Sequence, residues 1–127
     1  MTTPTDPHAA GIEVMRQLFG RKPDRAHLPQ EVFDTAIAHV YGSVWTRPAL
    51  SLQERSMLTV AALVAQGSIS ELELHLYGAK NLGIPREKLE ELVHHVAYYC
   101  GFPNAMHGFR GIEKVFARGG KGAPAGQ

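Results

Sequence analysis

Apolar residues along this chain recur at three- and four-residue intervals, and glycine or proline interrupts the pattern at short intervals. No stretch sustains the alternation of a half-buried strand, so the pattern predicts an all-α fold. A first helix is expected from about His8 to Phe19, with Ile12, Met15 and Phe19 inward and Gly20 as its stop. The polar stretch from Arg21 to His27 reads as a linker. A second helix starts near Pro29, carries Val32, Phe33, Ile37 and Val40, and stops at Gly42. Trp45-Thr46-Arg47-Pro48 reads as a connecting loop. Ser51 and Glu54 have capping-box spacing before the most apolar helix, Leu52 to Gln66, which Gly67 ends. Ser68 and Glu71 repeat that spacing before a helix from Ile69 to Leu82, closed by Gly83. Pro85 opens a helix that Gly101 closes at Cys100, and Pro103 opens a last one to about Arg118. The expectation is a bundle of about six helices, with successive hairpins packed antiparallel. Residues 1–118 form one domain in this reading, and the glycine-rich tail 119–127 is expected to be disordered.

The polar positions that break the apolar stripes carry the candidate chemistry. Leu52 to Gln66 is apolar almost all round, except that Arg55, Thr59 and Gln66 fall on one strip beside the small Ala62. A guanidinium on a helix expected to be mostly buried needs an acidic partner, from the protein or from a substrate carboxylate. One helix later, His75 lies on the stripe of Leu72, Leu76 and Ala79, with Glu71 one turn before it. Glu71 stands where a capping glutamate belongs, and from there it can also orient His75 or raise its pKa. His75 itself reads either as a hydrogen-bonded core histidine or as the reactive group of a buried site.

On the following helix Leu89, Leu92, Val93, Val96, Ala97 and Cys100 make the core stripe. His95 and Tyr99 lie one turn apart along its edge, and His94 and Tyr98 along another edge that suits solvent or a subunit contact. Cys100 in the core stripe reads as an inert thiol. His8, His27, His39 and His107 have no placed acidic or histidine partner, and surface or packing roles suffice for them. Glu71, His75 and His95 are a conceivable metal set, but no His-x-x-x-His or His-Glu-x-x-His spacing supports one, so no metal is expected. Glycine-rich phosphate loops and a Gly-x-Ser-x-Gly elbow are absent from the sequence.

Composition narrows the function classes further. The 127 residues carry 13 basic and 12 acidic side chains, a formal charge of +1 with no basic run, which gives no electrostatic case for nucleic acid or an acidic membrane. One cysteine rules out an internal disulfide and a Cys-x-x-Cys redox pair. The first residues have neither a basic nor an apolar signal region, and no stretch has the length and apolarity of a membrane span. A soluble, cytoplasmic protein is the expectation.

Three stretches together carry a resemblance: Tyr41-Gly42-Ser43-Val44-Trp45-Thr46-Arg47-Pro48-Ala49-Leu50 through Arg55-Ser56-Met57-Leu58-Thr59-Val60-Ala61-Ala62-Leu63, then Glu71-Leu72-Glu73-Leu74-His75 with Gly78-Ala79, then His95-Val96-Ala97-Tyr98-Tyr99-Cys100-Gly101-Phe102-Pro103. In order and spacing they resemble the carboxymuconolactone decarboxylase family, within the wider alkylhydroperoxidase-like helical fold, from about Gly11 to Arg118. The resemblance implies a helical bundle that assembles into a ring-like homo-oligomer, commonly a hexamer, covering Leu74, Tyr77 and other apolar side chains off the core stripes. It also implies a cofactor-independent lyase of aromatic catabolism, in the β-ketoadipate pathway, acting on 4-carboxymuconolactone or a related small carboxylated lactone. In that reading Arg55 anchors a substrate carboxylate with Thr59 beside it. His75, oriented by Glu71, stabilises the developing oxyanion or delivers a proton, and His95 and Tyr99 complete the donor set. The peroxidase branch of the fold has a Cys-x-x-Cys pair where this chain has Ser68 and Glu71, so dithiol chemistry is not expected. A related lyase or retro-aldol activity, a redox role for Cys100 and a non-catalytic binding role remain the alternatives.

Overall fold

The computed structural model describes residues 6–21 and 24–117, and all their regular structure is helical. The expected glycine-rich tail lies outside the described residues. Helix α1 (Pro7–Phe19) begins where the Asp6 carboxylate accepts the Ala9 amide at 3.1 Å, with Pro7 in its first turn. It ends at Gly20, whose φ of 75° suits glycine and whose N–H donates to the Arg16 carbonyl.

Helix α2 (Gln30–Thr35) runs directly into a π-helical segment, Ala36–Val44. The stop expected at Gly42 does not occur. Gly42 is buried inside the π-helical segment because α1 crosses so closely that a Cβ there would collide with the Pro7 carbonyl. Gly11 does the same for α1, where a Cβ would meet the backbone oxygen of Ile37. Around this crossing Val14, Leu18, Phe19, Ile37 and Trp45 are buried. The Tyr41 ring sits 6.3 Å from Phe19 and 5.5 Å from Trp45 between centroids, so the segment read as a loop starts from a buried anchor. His8, expected to have no acidic partner, places Nε2 3.2 Å from Asp34 Oδ1, a residue that α2 brings to it. These elements form the first of two compact units, ending at Leu52.

The second unit, from Gln53 on, holds almost all of α3 (Leu52–Gln66), with α4 (Ile69–Asn81), α5 (Arg86–Cys100) and α6 (Phe102–Ala117). Helix α3 ends as expected at Gly67, with φ of 69°. The Gly67 N–H donates to Val64 and the Ser68 N–H to Leu63, both at 3.1 Å, the pair of bonds that closes a helix through a left-handed residue. Gly83 closes α4 the same way, its N–H reaching Lys80 and that of Ile84 reaching Ala79. Val60, Val64, Leu72, Leu76, Ala79, Ile84, Leu89, Val93, Ala97, Ala105, Ile112 and Val115 make one buried cluster from all four helices.

Helix α3 is not buried all round as its composition suggests. Ser56, Val60 and Val64, at four-residue spacing, are buried, whereas Leu58 on the other side is 58% exposed. The apolar positions outnumber those one stripe can bury. Among the described residues no helix is long and apolar enough to cross a membrane.

Candidate active site

His75 faces the cluster of the second unit. Helix α4 buries Leu72, His75, Leu76, Gly78 and Ala79 along one side, and only 6% of His75 is exposed. Burial disfavours the charged ring and lowers its pKa from 6.5 to about 4, so the imidazole is neutral at neutral pH. It therefore works as a neutral hydrogen-bonding group in the free chain, not as a standing cation.

The expected role of Glu71 changes accordingly. Ser68 makes no side-chain cap bond, and its N–H is already given to the Leu63 carbonyl, so the reciprocal bond of a capping box has no free donor. Glu71 is exposed, and the shift of His75 runs downward through desolvation, opposite to the upward shift a neighbouring carboxylate would produce.

Arg55 and Thr59 lie on α3, both half-buried. The Thr59 hydroxyl donates to the Arg55 carbonyl one turn back at 2.8 Å, which commits its proton and leaves its oxygen as an acceptor. Arg55 Nε, Ser56 Oγ and His75 Nδ1 are buried atoms that make no hydrogen bond themselves, although neither Arg55 nor His75 is without a partner in the chain. Ser56 was not singled out from sequence. Its signal was its place four and eight residues before the buried Val60 and Val64.

His95 and Tyr99 stack with ring centroids 5.2 Å apart, but both are exposed, Tyr99 by 82%. They do not border the core as expected. Residue 95 lies two places after the buried Val93, about 200° around the helix, so it points away from Leu89, Val93 and Ala97. With Glu91, His94 and Tyr98 they line a shallow concavity of about 310 Å³ on the outer side of α5. The structure thus sets His75 toward the shared cluster and leaves His95 and Tyr99 on an outer face. Among the described residues no three His, Cys, Asp or Glu side chains gather where they could hold a metal ion, so Glu71, His75 and His95 are not a ligand set. Cys100 is half-buried against the cluster and its thiol faces the Gly101 carbonyl at 3.7 Å.

Residues 30–114 match the carboxymuconolactone decarboxylase family, a span that includes Arg55, Ser56, Glu71, His75, His95 and Tyr99. The chain belongs to that family. It is 33% identical over 112 residues to 4-carboxymuconolactone decarboxylase of Acinetobacter baylyi, covering 84% of each chain. It is also 41% identical over 66 residues to nitrosuccinic acid decarboxylase of Metarhizium robertsii, which covers 52% of this chain and 46% of that protein. Both relatives are decarboxylases by name, and the helical fold of this family member is the one its resemblance implied.

Proposed function

We propose that this chain is a decarboxylase acting on 4-carboxymuconolactone or a related small carboxylated lactone, without a cofactor. The observation that carries the reading is a neutral imidazole buried in an apolar cluster, in a chain that is similar along most of its length to a decarboxylase of that lactone. In such a lactone the departing carboxylate is conjugated through the ring double bond to the lactone carbonyl. The C–C bond pair moves through that double bond onto the carbonyl oxygen as carbon dioxide leaves, and the dienolate then takes one proton on carbon. The substrate supplies its own electron sink. Arg55 holds a substrate carboxylate, and Thr59, whose proton goes to the Arg55 carbonyl, stands beside it without a bond to that group. His75 donates its N–H to the oxygen on which charge develops, and apolar walls strip water from the carboxylate. Glu71, His95 and Tyr99 stand outside this minimal set.

A second substrate class is favoured by the shorter similarity to nitrosuccinic acid decarboxylase. A nitro group beside a carboxylate accepts the same electron pair on its oxygens, so the same two roles, carboxylate anchor and donor to the developing oxyanion, serve both reactions.

The test is conversion of 4-carboxymuconolactone to its enol-lactone by purified, chelator-treated protein, followed by NMR, with nitrosuccinate run in parallel. His75→Ala is expected to lose activity by 10²-fold or more, on the order expected for an oxyanion donor, with helicity retained. Turnover of nitrosuccinate alone moves the chain to the second class. No turnover of either, or full activity in the variant, rejects the reading.

A further inference from the structure

The decarboxylase reading uses one of the two polar side chains that this chain buries. Among the described residues, Ser56 and His75 are the only buried side chains that are polar or charged, and Ser56 is buried completely. Ser56 heads the buried side of α3, one turn before Val60 and two before Val64, while His75 lies between Leu72 and Leu76 on α4. Val60, Val64, Leu72 and Leu76 all belong to the same apolar cluster, so both polar groups stand on stripes that feed it.

The Ser56 hydroxyl is also uncommitted. A serine or threonine inside a helix has a ready outlet in the carbonyl four residues back. Thr59 takes it, donating to Arg55 at 2.8 Å. Ser56 has the same outlet in Leu52, yet its buried Oγ makes no hydrogen bond. A buried hydroxyl without a partner costs stability, and an alanine in its place would not carry that cost. The cost is accounted for when the partner arrives with a ligand.

Electron flow in the proposed reaction names that partner. The sink oxygen becomes negative as carbon dioxide leaves, and an oxyanion accepts more than one hydrogen bond. Neutral His75 offers it one N–H. Arg55 is assigned to the carboxylate and the Thr59 proton is spent on the helix. We propose that Ser56 supplies the second donor, its O–H and the His75 N–H together forming a two-donor hole for the oxygen on which charge develops. The inference rests on the decarboxylase reading for the identity of that oxygen, and it makes Ser56 a further catalytic residue. An uncharged hydroxyl holds the starting carboxylate weakly and turns toward the oxygen as charge arrives, so its effect falls on the transition state. Ser56 keeps its proton throughout, and the proton taken on carbon has another source.

Two measurements on the whole chain test this. With whichever substrate the wild type decarboxylates, Ser56→Ala should lower kcat by about 10²-fold with KM little changed. Ser56→Cys, close in bulk but a weak donor, should stay well below the wild type and so separate the hydrogen bond from the packing. Tetronate, the stable enolate anion of a five-membered lactone, reads the hole without turnover. Isothermal titration calorimetry at pH 7 should show it bound by the wild type and weaker by about tenfold or more in Ser56→Ala and in His75→Gln. The double variant should lose less than the product of the two single losses, because both donors serve one oxygen. Wild-type kcat in Ser56→Ala overturns the proposal and leaves the decarboxylase reading standing. A wild type without turnover removes the decarboxylase reading, and tetronate then decides the hole by itself. Equal affinity in the wild type and Ser56→Ala, or no binding by the wild type, overturns the proposal in either case. So does a lowered urea midpoint in Ser56→Ala, which would show the hydroxyl already bonded within the free chain.

Discussion

The buried imidazole makes a quantitative demand on stability. In the unfolded chain His75 takes a proton near pH 6.5, whereas the folded chain keeps it neutral down to about pH 4. Between these values the unfolded state binds more protons, so acid favours unfolding. The stability contributed by the neutral ring is complete above pH 6.5, is lost as pH falls, and stops changing below about pH 4. The whole gap corresponds to about 3 kcal/mol, of which about 2 kcal/mol is lost by pH 5. His75→Gln removes the titration while keeping a polar side chain of similar bulk. Urea unfolding at pH 7 and pH 5, followed by circular dichroism at fixed protein concentration, gives the difference. The wild type should lose about 2 kcal/mol more than the variant on acidification, because the carboxylates and remaining histidines are common to both and cancel. Equal losses in the two proteins would refute the assignment of a buried neutral ring, whatever the variant costs at pH 7.

Gly42→Ala is expected to destabilise the first unit by about 1–3 kcal/mol or more, because its Cβ meets the fixed carbonyl of Pro7. Thermal unfolding followed by Trp45 fluorescence reads that unit, and an unchanged midpoint would deny the close crossing. Leu76→Ala, at a fully buried position of the second unit, should cost about 2–5 kcal/mol in urea unfolding. Ser56→Ala should leave stability unchanged or raise it by about 1 kcal/mol, since its buried hydroxyl makes no hydrogen bond, and a clear loss would show that the hydroxyl is engaged. With substrate, the acid limb of kcat/KM should have its midpoint near 4 and not near 6.5, and a ring-proton NMR titration of His75 decides whether a limb near 6.5 belongs to it.

The elements set by local chemistry were legible in the sequence. Gly20, Gly67, Gly83 and Gly101 all adopt positive φ at or next to helix ends, which the residue type itself announces. Gly42 carries the same letter but answers to α1, whose backbone approaches it from 35 positions earlier, so reading it as a stop failed. His8 and Asp34 meet for the same long-range reason. Ser68 and Glu71 have the spacing of a capping box, yet the tight exit from α3 takes the amide that the box requires. At the site, the inward setting of His75 followed from its neighbours Leu72, Leu76 and Ala79, while its charge state depended on the whole cluster around it. His95 and Tyr99 were set too close to the core because an apolar stripe has no sharp edge in sequence, and two positions from Val93 is slightly more than half a turn further round.

A neutral His75 fits decarboxylation better than a cationic one would. A standing imidazolium would attract the starting carboxylate as strongly as the later oxyanion, and uniform attraction of that kind does not lower the barrier between them. The neutral ring has little hold on the carboxylate before the bond breaks. Its N–H hydrogen bond strengthens only as the electron pair arrives on the sink oxygen, so in the proposed reaction its contribution falls mainly on the transition state. In the same proposal Arg55, permanently charged and on a different helix, takes the separate task of holding a carboxylate in place. The desolvation that lowers the pKa of His75 also makes a buried carboxylate costly, and losing carbon dioxide relieves that cost by spreading the charge over the conjugated product. In the proposed reaction one apolar cluster thereby sets both the charge state of the donor and the instability of the group that leaves.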